Sequence, residues 1–345
     1  MNEQPSSPAL SQQHLTGASS LAASAARFTH NTLDATNYDW LGKRYQGKVR
    51  DVYERPDALI LIATDRQSAF DISWCSIPLK GQVLNQISNW WFQKIAHVMP
   101  HHVIASPDAN VVVAKKLKMF QVEVVVRAYL TGTTETSAWV NYARGVRNFC
   151  GNILPENLKK NEPLPEIIVT PTTKSKEDEP IDSKGIIERG LATAAQWSQI
   201  TEAALRLFRE GQKVAKERGL ILVDTKYEFG LDSNGVLTVG DEVHTPDSSR
   251  FWIADTYAKR FQAGEEPDSL DKEFFRRWLV SAGFNPKQAH ASTRPDITDE
   301  VRAMLATKYI ELYERITGNS FVFPGSEPVT QRIEMNLRRY LQSGK

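Results

Sequence analysis

The segment "LILVDTKYEFGLDSNGVLTVGDEV", residues 220–243, limits the fold more than any other part of the chain. Two runs rich in β-branched and aromatic residues flank Asn234-Gly235, the favoured pair for a two-residue type I′ turn. Such a sequence closes as an antiparallel hairpin, and its register decides which side chains share a face. With Asn234-Gly235 as the turn, Ser233 faces Val236 and Glu228 faces Asp241. Lys226 lies two residues from Glu228, on the same face. Facing carboxylates repel each other. A divalent cation reverses the sign, because hard cations take carboxylate oxygens. A four-residue loop would put Lys226 opposite Asp241, still on that face, whereas a three-residue loop would break the arrangement. Spacing alone leaves two readings open: a solvated polar face neutralised by Lys226, or a metal site at Glu228 and Asp241.

The chain then runs into "HTPDSSRFW", residues 244–252. Pro246 and Asp247 make a turn, and Ser248, Ser249 and Arg250 supply donors suited to a phosphate or carboxylate. The plainer reading is an Asp-capped turn with an exposed Arg. The formal net charge is +1 over 345 residues. No global basic field favours nucleic acid or an anionic membrane, so any phosphate must be caught by local charge. Only Cys75 and Cys150 occur, which fits a reducing compartment without a disulfide framework. No apolar run approaches the ~20 residues needed to span a bilayer. Residues 1–36 are rich in Ala and Ser, with Arg27 as their one basic side chain. They are expected to be a flexible cytoplasmic extension rather than a transit peptide.

The length suggests about two domains. Strands are expected at 48–54 and 58–64, separated by Arg55-Pro56-Asp57. A helix is expected over 85–99 from its apolar spacing. Two further strands flank the basic triplet Lys115, Lys116 and Lys118, giving an α+β domain over 37–125. Residues 150–185 read as loops, and two helices follow, the second ending at Gly219. A central α+β domain over 126–268 contains the hairpin. Amphipathic helices in 269–345 are expected to pack on the core without carrying chemistry.

Other segments offer weaker signals. "GKRYQGKV", residues 42–49, nearly matches the phosphate-loop pattern, but Val49 replaces the required hydroxyl and a strand follows where a helix should. Gly47, Lys48 and Arg50 at a strand start can still cover phosphates, as glycine-rich hairpins do. Asp65, Arg66, Ser68 and Asp71 cluster after a buried strand. Arg127 ends an apolar strand before a Thr-Gly-Thr turn that includes Thr133. A buried Arg needs an anion, either a carboxylate such as Glu123 or a ligand phosphate. Lys174 and Lys176 mix with Glu177, Asp178 and Glu179 in a charged loop. No zinc spacing, nucleophile elbow or dinucleotide glycine triad appears.

Taken in order, "GKVRDVYE", "IATDRQSAFD", "KGQVLNQIS", "VEVVVRAYLTGT", "PTTKSKEDEP", "LILVDTKYEFG" and "GDEVHTPDSSRFW" closely resemble the SAICAR synthetase family over about residues 40–280. The resemblance implies an ATP-dependent ligase that joins L-aspartate to the carboxylate of carboxyaminoimidazole ribotide through an acyl phosphate, in purine biosynthesis. It implies a two-domain α+β fold. ATP would lie in the cleft between a β-rich N-terminal domain and a larger ATP-grasp-like domain, with C-terminal helices beyond. Carried over by residue, Gly47, Lys48 and Arg50 match the strand over the ATP phosphates, and Glu228 and Asp241 match carboxylates that hold Mg²⁺ and ATP. Lys226, Asp241 and Arg250 become the catalytic candidates. Arg127 and Thr133 match the ribotide-phosphate positions, Ser249 and Arg250 a substrate-anion contact, and Asp65 and Ser68 a loop near the substrates. Lys174 matches the lysine of the "PTTK" loop. The family often has a His-Asp pair after that lysine, which this chain lacks, so Asp178 or Glu179 stands in the acid's place. The expected partners are these small molecules, with no nucleic acid and no membrane, in a monomer. Two rivals remain: a kinase of a small phosphorylated metabolite, and a non-catalytic module that binds RNA or protein.

Overall fold

The computed structural model describes residues 20–70, 72–175, 178–288 and 294–343. The readings placed on Asp71, Lys176, Glu177 and most of the N-terminal extension lie outside the described residues. Strands β1 (Arg44–Gln46), β2 (Arg50–Glu54), β3 (Ala58–Ala63), β4 (Arg66–Ala69) and β5 (Ile72–Ser76) precede helix α1 (Lys80–Ile95). After α1 come β6 (Val103–Asp108) and β7 (Val111–Lys115). The first sheet has the order β1-β2-β3-β7-β6, with β4 and β5 as a separate pair. Gly47 N–H donates to the Arg50 carbonyl at 2.8 Å and closes the β1–β2 turn. The segment after Gly47 is therefore a hairpin entering a strand, as its sequence predicts, and not a phosphate loop opening a helix.

β8 (Lys118–Leu130) begins the second sheet. The domain boundary expected at residue 125 falls inside this strand, so the N-terminal sheet ends earlier, with β7. Helix α2 (Ala138–Ala143) and the pair β9 (Asn148–Phe149) and β10 (Asn152–Ile153) lead to β11 (Glu162–Val169) and β12 (Thr172–Thr173), both paired with β8. β11 lies where a loop is expected. Pro163 and Pro165 hide it from a propensity reading, and as an edge strand it tolerates their missing N–H groups.

Helices α3 (Ser183–Glu188) and α4 (Ala194–Glu217) follow. A reciprocal Thr193–Gln196 capping box starts α4, and Gly219 at φ +66° follows its end. The apolar face of α4, with Trp197, Ile200, Leu207 and Phe208 buried, packs on β13 (Leu220–Leu231). β13 is the spine of the second sheet. β8 runs along one side of it, and β14 (Leu237–Gly240) and β15 (Ser249–Ile253) share the other.

Helices α5 (Ala254–Gln262), α6 (Glu273–Ser281), α7 (Asp299–Thr317) and α8 (Val329–Gln342) complete the α+β fold. They do not form one terminal layer. α7 packs on α1, whereas α8 returns to the first sheet and buries Ile333 and Leu337 against Tyr38, Tyr53, Ile60 and Ile62. Among the described residues, no helix is long and apolar enough to cross a membrane.

Candidate active site

β13 places Asp224, Lys226 and Glu228 on one face and buries Tyr227 and Phe229 on the other. The hairpin register differs from the expected one. Glu228 pairs with Gly240 and Leu231 with Leu237. Asp232 and Val236 bracket a loop of Ser233, Asn234 and Gly235, and the Asp232 carboxylate accepts the N–H groups of Asn234 and Val236, each at 2.9 Å. The Asp232 side chain organises this turn and displaces the two-residue geometry favoured by Asn-Gly. Glu228 therefore does not face Asp241 across the ladder. The site forms by another route: Asp241 leaves β14 at φ +56° and joins an ion pair with Arg50 of β2.

This carboxylate end is dense in paired charge. Arg50 reaches Asp241 with one nitrogen and Glu242 at 2.9 Å with the other. Lys226 Nζ lies 3.0 Å from Glu228 and 2.8 Å from Glu123 of β8, the residue that pairs with Glu228 across the sheet. Lys174 closes on the second Glu228 oxygen. Burial opposes charge on Lys226, but Glu228, Asp241 and Glu123 outweigh it and raise its affinity for a proton. Burial likewise works against ionised Asp241, yet Arg50, Lys226 and Lys174 hold its carboxyl below the usual range. Glu242 moves the other way because its burial dominates. Arg50 thus bridges the two acids and engages Asp241 directly. Among the described residues, no group of three or more His, Cys, Asp and Glu side chains is poised to hold a metal.

At the other end, Asp224 accepts from two guanidiniums. Arg127 lies across from it on β8 at 3.2 Å, and Arg250 across from it on β15. The buried Arg127 finds its carboxylate in Asp224, not Glu123. Arg127 also donates to Thr170 Oγ1 at 2.8 Å. Glu273, 3.9 Å from Arg250, offsets the second guanidinium. A cavity of about 160 Å³ opens here, lined by Arg127, Asp224, Lys226, Ser249, Arg250 and Lys272 among others. The cationic excess of this wider lining comes from Lys226, Lys272 and Arg276 against Asp247 and Asp271. A larger cavity of about 580 Å³ lies on the α4 side of the sheet, beside Leu231 and Gln196, away from these charges.

Other candidate residues fall in varied places. Asp65 does not reach the cleft. Its oxygens accept the N–H groups of Leu33 at 2.7 Å and Gly81 at 2.8 Å, and burial pushes its carboxyl up to about 6. It anchors the start of α1. Ser68 is closer, accepting from Lys272 Nζ at 3.4 Å. Thr133 donates to Glu273 at 3.0 Å beside Arg250, at the rim. Ser249 is buried, 2.6 Å from Thr225 Oγ1. Lys48 sits at the exposed tip of the β1–β2 hairpin. Asp178 and Glu179 are exposed, and Glu179 pairs with Arg189 at 2.9 Å, so neither acid turns into the cavity.

The structure adds residues that sequence reasoning missed. Asp224 was available from alternation with Lys226 and Glu228. Lys272, Arg276 and Tyr309 carry no local signal, because they come from α6 and α7 and meet the site only through the fold, whereas Lys80 opens the "KGQVLNQIS" motif, which marks it without a role. Lys272 is half-buried, and desolvation lowers its amine to about 8.

A family model described as SAICAR synthetase matches residues 43–291. The chain is 48% identical over 302 residues to a phosphoribosylaminoimidazole-succinocarboxamide synthase of Legionella pneumophila (strain Paris), covering 87% of this chain and 96% of that protein. It is 50% identical over 305 residues to a chloroplastic enzyme of that name from Arabidopsis thaliana, covering 88% and 74%. Its fold is similar to a SAICAR synthase from Saccharomyces cerevisiae complexed with SAICAR, with TM-score 0.73 and 32% identity over 85% of this chain and all of that one. It is also similar to a SAICAR synthetase in complex with ADP, with TM-score 0.62 and 28% identity over 81% of this chain and 100% of that one.

Proposed function

The chain belongs to the SAICAR synthetase family, whose reaction uses ATP to ligate L-aspartate to carboxyaminoimidazole ribotide in purine biosynthesis, and we propose that the cleft along β13 is where this chain performs it. One observation carries the reading. A single strand face holds a guanidinium clamp at Asp224 and a carboxylate cluster at Glu228. At ~3.3 Å per residue these ends lie about 13 Å apart, room for a ribotide held by its phosphate with its carboxylate toward ATP.

Arg127 and Arg250, with Thr133 and Ser249, hold the ribotide phosphate. Gly47, Lys48 and Arg50 cover the ATP phosphates from the first sheet. A carboxylate oxygen of the ribotide attacks the γ-phosphorus and ADP leaves, giving an acyl phosphate. The aspartate amine attacks the acyl carbon, inorganic phosphate departs with the bonding pair, and the amine gives up a proton as the amide forms. Lys226 and Lys174 stand beside the charge that accumulates between the anions. Magnesium fits the donors, because Mg²⁺ is usually held by one or two carboxylates plus substrate phosphates and not by a full protein cage. Glu228 and Asp241 would hold it, and when bound it would neutralise charge on the phosphoryl oxygens. Asp65 and Asp178 remain outside these contacts. The working form on this proposal is a cytoplasmic monomer.

Thermal melting with ATP tests this site. ATP is expected to raise the midpoint in the presence of Mg²⁺ and to do so much less in Asp241→Asn. A chain indifferent to ATP would point to the non-catalytic module.

A further inference from the structure

Asp247 sits in the turn that delivers Ser248, Ser249 and Arg250 to the cleft. Its side chain is 4% exposed, and its Oδ2 pairs at 2.8 Å with Lys80, which is 0% exposed. Lys80, the first residue of α1, also donates to the Arg66 carbonyl at 2.9 Å. Lys272 Nζ lies 3.8 Å from the same Asp247 oxygen. The other oxygen, Oδ1, receives the Tyr309 hydroxyl at 3.0 Å. Tyr309 belongs to α7, beyond residues 43–291 that the family model matches. One buried carboxylate therefore joins α1, α7 and the start of α6 to the anion-binding turn.

The tyrosine bond has a definite polarity. Gln67 Oε1 also lies 3.0 Å from the hydroxyl, and a phenol has one proton to give. Gln67 Nε2 donates to the Ser68 carbonyl at 3.3 Å, so its amide oxygen faces the phenol, and the one proton goes to the carboxylate of Asp247, the stronger acceptor. Burial works against ionised Asp247, but Lys80 and Lys272 overcome it and hold the carboxyl well below its usual range. The phenol proton then serves the oxygen turned away from Lys80. Without it, Asp247 loses one of the bonds that fix its rotation, and the turn carrying Ser249 and Arg250 loses its seat.

We infer that Tyr309 is a positioning residue for the ligation: through Asp247 it sets the approach of Arg250, Ser249 and Lys272 to the ribotide. The inference rests on the ligase reading of the cleft. Tyr309→Phe tests it, because the change keeps the ring and removes only the O–H. SAICAR formation is measured with each substrate varied in turn, beside thermal melting. KM for the ribotide is expected to rise about tenfold, the size of one hydrogen bond to a charged group. KM for ATP, bound at the Arg50 end, stays within about twofold, and the melting midpoint falls by no more than a few degrees. KM does not depend on the amount of folded enzyme, so partial unfolding cannot imitate this split. An unchanged KM for the ribotide, whatever happens to kcat or melting, overturns the inference and leaves Tyr309 a packing residue. An equal rise for ribotide and ATP also overturns it. Absence of SAICAR from the unaltered chain overturns the ligase reading and this inference together.

Discussion

Asp241 shows most clearly how single residues divide structure from chemistry. It adopts φ +56°, a left-handed conformation that costs a non-glycine residue roughly 1–2 kcal/mol, and it keeps that conformation while paired with Arg50. Asn tolerates the same backbone, so Asp241→Asn is expected to fold normally yet lose at least about 100-fold in turnover. Near-normal kcat in that variant would remove Asp241 from the nucleotide site. At the other end, Arg127→Met leaves Asp224 paired with Arg250. Kinetics on this variant should show a KM for the ribotide raised by about 10- to 100-fold, with ATP little affected. Lys272 carries a pH dependence. Burial lowers its amine to about 8, so it is cationic below that pH and neutral above it. A cation that helps hold an anionic substrate is lost on deprotonation. Accordingly, kcat/KM for the ribotide should fall as pH rises through about 8, and Lys272→Arg should move the fall to higher pH. A flat profile in the unaltered chain would show that Lys272 does not bind the substrate as a cation.

Among elements, the β13–β14 hairpin was legible in outline and wrong in register. Alternation along 220–231 identified the strand and put Lys226 and Glu228 on one face. Turn choice was decided by the Asp232 side chain, whose two hydrogen bonds stabilise a longer loop over the favoured Asn-Gly turn. The resulting slip takes Asp241 out of the ladder opposite Glu228, and its left-handed backbone accompanies its turn to Arg50. β11 was hidden by its prolines, and the burial and backbone pairing of Asp65 cannot be seen in a polar cluster. The long-range role of α8 was equally hidden, since an amphipathic helix does not name its partner. Its Ile333 is wholly buried under the first sheet. Ile333→Ala is expected to cost about 2–5 kcal/mol in denaturant unfolding, with ribotide KM unchanged. A stability change under about 1 kcal/mol would mean that α8 does not support that sheet.

Across the whole molecule, two sheets meet over one polar seam. The first contributes Arg50, the second contributes β13 with its clamp and carboxylates, and α1, α6 and α7 supply Lys80, Lys272 and Tyr309 behind the turn. The reaction class was readable because ordered motifs carry it. The supporting groups were not, because they come from segments far apart in sequence. A kinase could share the nucleotide end but would have no need of an amine. ADP release by the purified chain, with ATP, Mg²⁺ and carboxyaminoimidazole ribotide, with and without L-aspartate, therefore tests the central claim most directly. The expected result is ADP formed together with SAICAR only when both co-substrates are present; steady ADP formation without aspartate, or none under any condition, would contradict it.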